Sequence, residues 1–330
     1  MSVKIVPREY DRVTKRIARA LVALVPAVLI ERILRAAALA PPAMKTPIFE
    51  RACAALSRVH STAGHGFITT NFGISRHIRC DLPKEKVGYL FGRPGNSVAE
   101  RATLSLAREL SRDCSHFIDV GANEGLFTLA VADSAAGALA LHWFEPDRAL
   151  FDRLELNLAR NKIAAKGNRV AISDRHGNAT FFKNISDDLS GSLSTYFDGH
   201  HQTVKETVET LPLSEYLTAH QISDALVKID VEGHGNQVWS GAAAGAANIK
   251  YLLMEMLEPE IRAGTPQQII SQSGWHAYYI KDFDLIESRN GEFDYVAPFW
   301  NWLFCALTPA ALSERLKGTK FRVLSNGRIT

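Results

Sequence analysis

Cysteine is scarce in this 330-residue chain, and the four present, Cys53, Cys80, Cys114 and Cys305, are scattered. With no C-x-x-C pair and no His/Cys grouping at metal-ligand spacing, the sequence offers neither a disulfide framework nor a structural zinc site, and a reducing compartment fits best. Long apolar runs are also missing. The longest candidate, in the segment Arg8 to Arg35, has an uncharged core of only 11 residues, Ala20 to Ile30, against the roughly 20 needed to cross a bilayer. No internal repeat or low-complexity tract is visible, which removes solenoids. The formal net charge of +3 is too small to argue for nucleic acid as a partner.

What is there is a globular composition, 46% hydrophobic and 22% charged, in a chain long enough to bury a large core. Basic residues flank the apolar stretch at the N-terminus. Its periodicity suits an amphipathic packing helix kinked at Pro26; an interfacial membrane helix and a processed leader are the alternatives. The expected location is therefore cytoplasmic, with peripheral membrane contact through that helix as a variant. The Pro41-Pro42 pair ends it, and Thr46 to Val59 reads as a second helix. Residues 1–85 are read as an appended helical region, with short strand-like runs between Gly64 and Pro83.

From about residue 86 the pattern alternates. Strand candidates lie at 116–120, 139–145, 168–173, 225–231, 249–256, 275–281 and 299–307, and helices at 125–135, 147–162, 236–243 and 265–273. Such alternation implies a Rossmann-like α/β sheet, mostly parallel, with helices on both faces. The runs 178–184 and 201–211 alternate with period two and suggest a hairpin excursion from the sheet edge. The last two strand candidates, connected through Asn290-Gly291, are expected to form an antiparallel pair. The domain boundaries read as 86–308 for this sheet and 309–330 for a C-terminal tail.

The stretch HFIDVGANEG, residues 116–125, reads as strand, tight turn and helix start, the place where open α/β sheets bind nucleotides. Its glycines are spaced Gly121-x-x-x-Gly125. The G-x-G-x-x-G spacing that brings a main chain against pyrophosphate is absent, and no G-K-[ST] follows, so the ligand should carry little phosphate. The next strand ends in HWFEPD, putting Glu145 24 positions after Gly121, where such sites place an acid for two ribose hydroxyls. A plain helix-start acid before Pro146 is the alternative.

These segments resemble the seven-strand class of S-adenosylmethionine methyltransferases, and within it the FkbM family of O-methyltransferases. The pieces that carry the likeness are FIDVGANEG, FEPD, NRVAISDRHGNATFF at 168–182, LVKIDVEGH at 226–234, LLMEM at 252–256 and FWNWLF at 299–304. It covers roughly residues 88–307. The resemblance implies S-adenosylmethionine as cofactor, with Gly121 and Gly125 admitting its amino acid end, Asp119 and Asn123 bonding its ammonium or fixing the loop, and Glu145 holding its ribose. Asp174, with Ser173, falls where such folds meet adenine; a simple turn is the competing reading.

Period two along residues 225–233 would set Lys228, Asp230 and Glu232 on one side of the pleat. Burying three ionisable groups together is costly unless they pair or work. One reading is a structural pair of Lys228 with Asp230 or Glu232. In the other, Asp230 is the central residue of a methyl transfer, Glu232 orients and His234 is a candidate base. A divalent cation on Asp230 would be a further way to acidify an acceptor hydroxyl. The expected acceptor is a small molecule or glycan: a sugar, glycolipid or secondary metabolite. The family usually carries a glutamate two positions after the glycine of DVEG, and here that position is Gly235. Glu255, Ser190-Gly191-Ser192, His200-His201, Trp300 and Trp302 are secondary candidates for the acceptor side, with core packing favoured for the tryptophans. A nicotinamide-dependent oxidoreductase and a non-catalytic, membrane-tethered cofactor binder are the alternative functions.

Overall fold

The computed structural model describes residues 68–70, 78–80, 97–134, 139–184, 191–195, 199, 202–288, 290–291, 301–325 and 328–329. The chain divides into two units, Met1–Ser97 and Val98–Thr330. In the first, β1 (Ile68–Thr70) and β2 (Ile78–Cys80) form an antiparallel pair. The helices read at Arg8 to Arg35 and Thr46 to Val59 lie outside the described residues.

The second unit opens with α1 (Ser97–Leu110), β3 (His116–Val120), α2 (Leu126–Ser134), β4 (Ala140–Phe144), α3 (Arg148–Asn161) and β5 (Lys166–Asn168). A side excursion follows: β6 (Ala171–Ser173), β7 (Gly177–Asn184), β8 (Gly191–Ser192), β9 (Thr203–Pro212) and α4 (Leu213–Ala219). The chain then returns through β10 (Ala225–Ile229), α5 (Gly235–Ala242), β11 (Ile249–Glu255), α6 (Glu258–Arg262), α7 (Thr265–Ser273) and β12 (His276–Lys281). It finishes with β13 (Asp284–Ser288), β14 (Asn301–Cys305), α8 (Pro309–Arg315), β15 (Arg322–Ser325) and β16 (Arg328–Ile329).

The main sheet has ten strands in the order β16-β15-β13-β12-β14-β11-β10-β3-β4-β5. Strands β5, β4, β3, β10 and β11 run parallel, and β14 inserts antiparallel between β11 and β12. This is the expected seven-strand α/β sheet, extended at one edge by β13, β15 and β16. Every residue of β10 is buried, as a parallel strand covered on both faces requires. One face packs Ile118, Val120, Val227, Ile229, Leu252 and Met254 against Leu213 and Leu217 of α4, Val238 and Trp239 of α5 and Ile269 of α7. By alternation Asp119 and Lys228 share the other face, where Thr128 and Phe127 of α2 meet them.

From β3 the chain steps outward to β4 and β5, and on its return it lays β10 and β11 on the other side of β3. The order therefore reverses between β3 and β10, and ligands of open α/β sheets bind at the carboxyl ends flanking such a switch.

Four local expectations change. The single strand read at 168–173 is two: β5 pairs with β4, whereas β6 leaves to pair with β9. The short polar β5 (Lys-Gly-Asn) makes a terminating edge, and the chain steps off it. The hairpin β7–β9 forms as expected, but in a separate four-stranded sheet ordered β6-β9-β7-β8 rather than at the edge of the main one. Residues 309–330, read as a tail, contain α8, β15 and β16. Finally, β10 stops at Ile229, and Glu232 adopts φ +52°, so the period-two argument that put Glu232 beside Lys228 and Asp230 fails at the strand end.

Candidate active site

The turn after β3 is closed on itself. Gly121 N and Ala122 N both donate to Phe144 O, at 3.1 and 3.0 Å, and Gly125 N donates to Ala122 O at 2.8 Å. Asn123, in the left-handed region at φ +54°, donates its N–H to Glu145 Oε2 at 2.9 Å, and its Oδ1 accepts Glu124 N at 2.8 Å. From Gly121 to Gly125 each N–H thus has an internal acceptor, which leaves the first turn of α2 as the source of amides for a ligand. The case against a dinucleotide therefore rests on the glycine spacing of the sequence.

Gly121 is held to glycine by more than its φ of +74°. A Cβ there would stand 1.9 Å from Asp230 O, because the turn after β3 lies directly on the backbone leaving β10. At Gly125, φ +88°, the obstacle is Leu154 Cδ1 of α3, 2.0 Å away. The two glycines therefore serve close packing of the loop first.

Two acids that sequence spacing did not single out complete the loop. Glu124 is wholly buried and ion-paired with Arg153 of α3. Asp147 caps α3 through Ala149 N and Leu150 N at 2.8 and 3.0 Å and pairs with Lys183 of β7 at 2.7 Å, tying the second sheet to the rim. The partners are 29 and 36 positions apart in sequence, too far for a local motif to reveal. Glu145 is itself 4% exposed, and its other oxygen accepts Asp147 N at 2.9 Å.

At the centre lies an ionic triad. Lys228 and Asp119 face each other in register across β10 and β3, with Nζ 3.7 Å from Asp119 Oδ1 and 3.1 Å from Asp230 Oδ2. The Lys228 ammonium also stands 4.7 Å above the Phe127 ring, a cation–π contact. Burial alone would favour neutral lysine, but Asp230 and Asp119 outweigh it and hold the Lys228 pKa above its ordinary value. Asp119 is fully buried. Its Oδ2 accepts Thr128 N and Oγ1 at 3.1 and 2.7 Å, while its Oδ1 makes no hydrogen bond. Burial raises the Asp119 pKa, opposed by Lys228 and Thr128. The Lys228–Asp230 pair of the structural reading is therefore present, and it aims the Asp230 carboxyl, whose side chain is 28% exposed, at the carboxyl end of the sheet.

Beyond Asp230 the chain turns through two left-handed residues, Glu232 at φ +52° and Gly233 at φ +90°. Glu232 and His234 are half-buried. His234 Nε2 meets Ser173 Oγ at 3.0 Å, and the same hydroxyl donates to Asp174 Oδ1 at 3.1 Å. The structure thus joins a residue read as base with the residues read as an adenine contact. Burial lowers the His234 pKa to about 4, with Asp174 opposing, so the ring is neutral near pH 7.

On the acceptor side, Ser192 Oγ of β8 donates to Val231 O at 2.8 Å and accepts Ser194 N at 3.0 Å, laying β8 over the loop after β10. Glu255 ends β11 opposite Asn301 of β14. Trp302 is fully buried and stacks on Phe304 at 5.9 Å, as the core reading expects. Ser190, His200, His201 and Trp300 lie outside the described residues. Among the described residues no three His, Cys, Asp or Glu side chains converge as a metal cluster, and no helix is long and apolar enough to cross a membrane.

Glu145 and Asp230 thus stand at the ends of β4 and β10 beside the switch point, with Asp119 buried behind them. A family model described as the methyltransferase FkbM domain matches residues 119–285. Among curated proteins none matches. Similar solved structures include a rRNA methylase from Streptococcus thermophilus, 8% identical over 64% of this chain and 96% of that one, with a TM-score of 0.36. Another is a human methyltransferase 10 domain containing protein, 10% identical over 78% of this chain and 97% of that one, TM-score 0.39. A third is the Pyrococcus abyssi tRNA (uracil-54, C5)-methyltransferase in complex with S-adenosyl-L-homocysteine, 11% identical over 73% of this chain and 44% of that one, TM-score 0.39.

Proposed function

This chain belongs to the FkbM methyltransferase family, and from that premise we propose that it is an S-adenosylmethionine-dependent O-methyltransferase acting on a hydroxyl of a sugar, glycolipid or secondary metabolite. The observation that carries the reading is the Asp119–Lys228–Asp230 triad at the switch point, beside a turn whose own amides are spent internally.

When bound, the cofactor supplies an electrophilic methyl on a sulfonium whose charge is lost on transfer, so alignment of the acceptor oxygen is what the protein must provide. Gly121 and Gly125 let the turn pack tightly enough for the cofactor's amino acid end to lie along it, with Asp119 and Asn123 fixing the turn's shape. Glu145, fixed by the two amides it accepts, receives the ribose hydroxyls. Asp230, held by Lys228 through one oxygen, receives the acceptor's hydroxyl and its proton on the other. Glu232 orients the acceptor. His234 Nε2 is engaged by Ser173 and is only a weak base, so its part is to hold the Ser173–Asp174 corner against the loop.

Transfer of labelled methyl groups from S-adenosylmethionine to a lipid and glycan extract tests this. Wild type should label a component and Asp230→Ala should lose about 100-fold or more, the scale of a general-base contribution. Labelling that survives intact in Asp230→Ala would remove Asp230 from the centre of the mechanism.

A further inference from the structure

One buried carboxylate near this loop has no part in the scheme above. Glu260, on α6, is 5% exposed. Its Oε1 accepts Gly235 N at 2.6 Å and its Oε2 accepts Leu257 N at 2.8 Å; Asn236 N bonds it as well. Its main-chain oxygen accepts Thr265 Oγ1 at 2.8 Å, and that hydroxyl also bonds Asn236 Oδ1. The Glu260 side chain thus ties the start of α5 to the turn after β11, and its main-chain oxygen adds the start of α7.

The same contacts explain the glycine at 235. A Cβ there would stand 2.7 Å from Glu260 Oε1 and 2.2 Å from Met254 Cε. The room that a side chain at 235 would need is taken by a carboxylate arriving from another segment. Just upstream, Glu232 and Gly233 hold two consecutive left-handed conformations, and a non-glycine residue stays in that region only where its surroundings over-determine it. The Glu260 bonds to Gly235 and Asn236 are placed to do so.

We propose that Glu260 is a positioning residue for methyl transfer, clamping the amides of Gly235 and Asn236 so that the loop from Asp230 to His234 presents Asp230 and Glu232 in working orientation. This rests on the methyltransferase reading of that loop. The competing view is a helix cap that supports stability alone. Burial raises the Glu260 pKa against the opposing pull of the amides of Leu257, Gly235 and Asn236, and those amides are held most strongly by the ionised carboxylate.

The test uses the full chain and Glu260→Ala, Glu260→Gln and Glu260→Asp. Label incorporation from S-adenosylmethionine into the lipid and glycan extract is followed at saturating cofactor, together with the KM for S-adenosylmethionine, S-adenosylhomocysteine binding by calorimetry, and hydrogen exchange over residues 230–237. Glu260→Ala should lower the saturated rate about 10-fold or more while KM and product affinity change by less than about 3-fold, the pattern of a group that acts in the transition state rather than in binding. Glu260→Gln retains an oxygen for Gly235 N and should recover much of the rate. Exchange at 230–237 should accelerate in the alanine variant and return toward wild type in the glutamine one. An alanine variant that melts lower but keeps its rate and exchange pattern would overturn the proposal. Should the alanine variant not fold, unchanged rate and exchange in both Glu260→Gln and Glu260→Asp would overturn it equally. If wild type neither binds S-adenosylhomocysteine nor transfers methyl groups, the methyltransferase reading fails, and the exchange measurement alone decides whether Glu260 sets the loop.

Discussion

Replacing Lys228 by methionine keeps most of the side-chain volume and removes the charge that two carboxylates face. Asp230 can turn toward water, being 28% exposed, but Asp119 is fully buried and would keep only its two bonds from Thr128. Breaking a buried pair by deleting one partner costs about 3–5 kcal/mol, and loss of the contact with Phe127 adds about 0.5–1 kcal/mol. Asp119 escapes part of that penalty by taking a proton. Its folded pKa is already raised by burial and rises further without Lys228, so its stabilising share is full below the unfolded carboxylate pKa and is lost as pH climbs through the folded value. The deficit of Lys228→Met, measured from urea midpoints by circular dichroism, should therefore be about 3–5 kcal/mol at pH 7.5 and should shrink toward pH 5. Adding Asp119→Asn, which removes the stranded charge, should restore more than half of it. A single variant within about 1 kcal/mol of wild type at pH 7.5, or a double variant no more stable than the single one, would refute the assignment of the triad as a buried, mutually dependent unit.

Other outcomes follow from the same geometry. Gly121→Ala meets a backbone oxygen at 1.9 Å and cannot be relieved by a side-chain rotation, so S-adenosylhomocysteine affinity measured by calorimetry should fall at least about 10-fold, or 1.4 kcal/mol. Arg153→Ala takes the guanidinium from buried Glu124 and should cost about 3 kcal/mol in urea unfolding; Arg153→Lys should recover only part, since it cannot reproduce the planar fork. His142 lies 8% exposed among His116, His220 and Lys166, and burial followed by those neighbours lowers its pKa to about 4. The unfolded chain protonates this ring first, so as pH falls from about 6.5 to 4 the protein should lose about 3 kcal/mol from this residue, and the stability–pH slope there should flatten in His142→Phe.

Much of the architecture is readable in the amino acids because it follows from local apolar patterning. The run Phe-Ile-Asp-Val into a glycine turn gives β3 and α2, and the helix expected at 265–273 is found at Thr265–Ser273 between Gly264 and Gly274, both in the left-handed region. What patterning cannot carry is where a strand changes sheets or stops. The polar run of β5 marks an edge but does not say where β6 goes next, and its partner β9 lies some forty residues on. Past Ile229 the backbone of β10 lies against Gly121 closely enough to exclude a side chain there, a contact between segments more than a hundred residues apart. The pairing of Lys228 with Asp230 was legible from strand periodicity, but Asp119 as its second partner, on a neighbouring strand, was not, and Glu124, Asp147 and Glu260 likewise act through partners on other elements. For Glu260 the sole trace in the sequence is a glycine where a side chain was expected.

The most direct test of the central claim, that this rim receives an adenosyl sulfonium nucleoside and not a dinucleotide, is titration of the intact chain with S-adenosylhomocysteine and, separately, with NADH by isothermal calorimetry. Saturable binding of S-adenosylhomocysteine at one site, with no heat from NADH, is the predicted result. Binding of NADH without S-adenosylhomocysteine would contradict it.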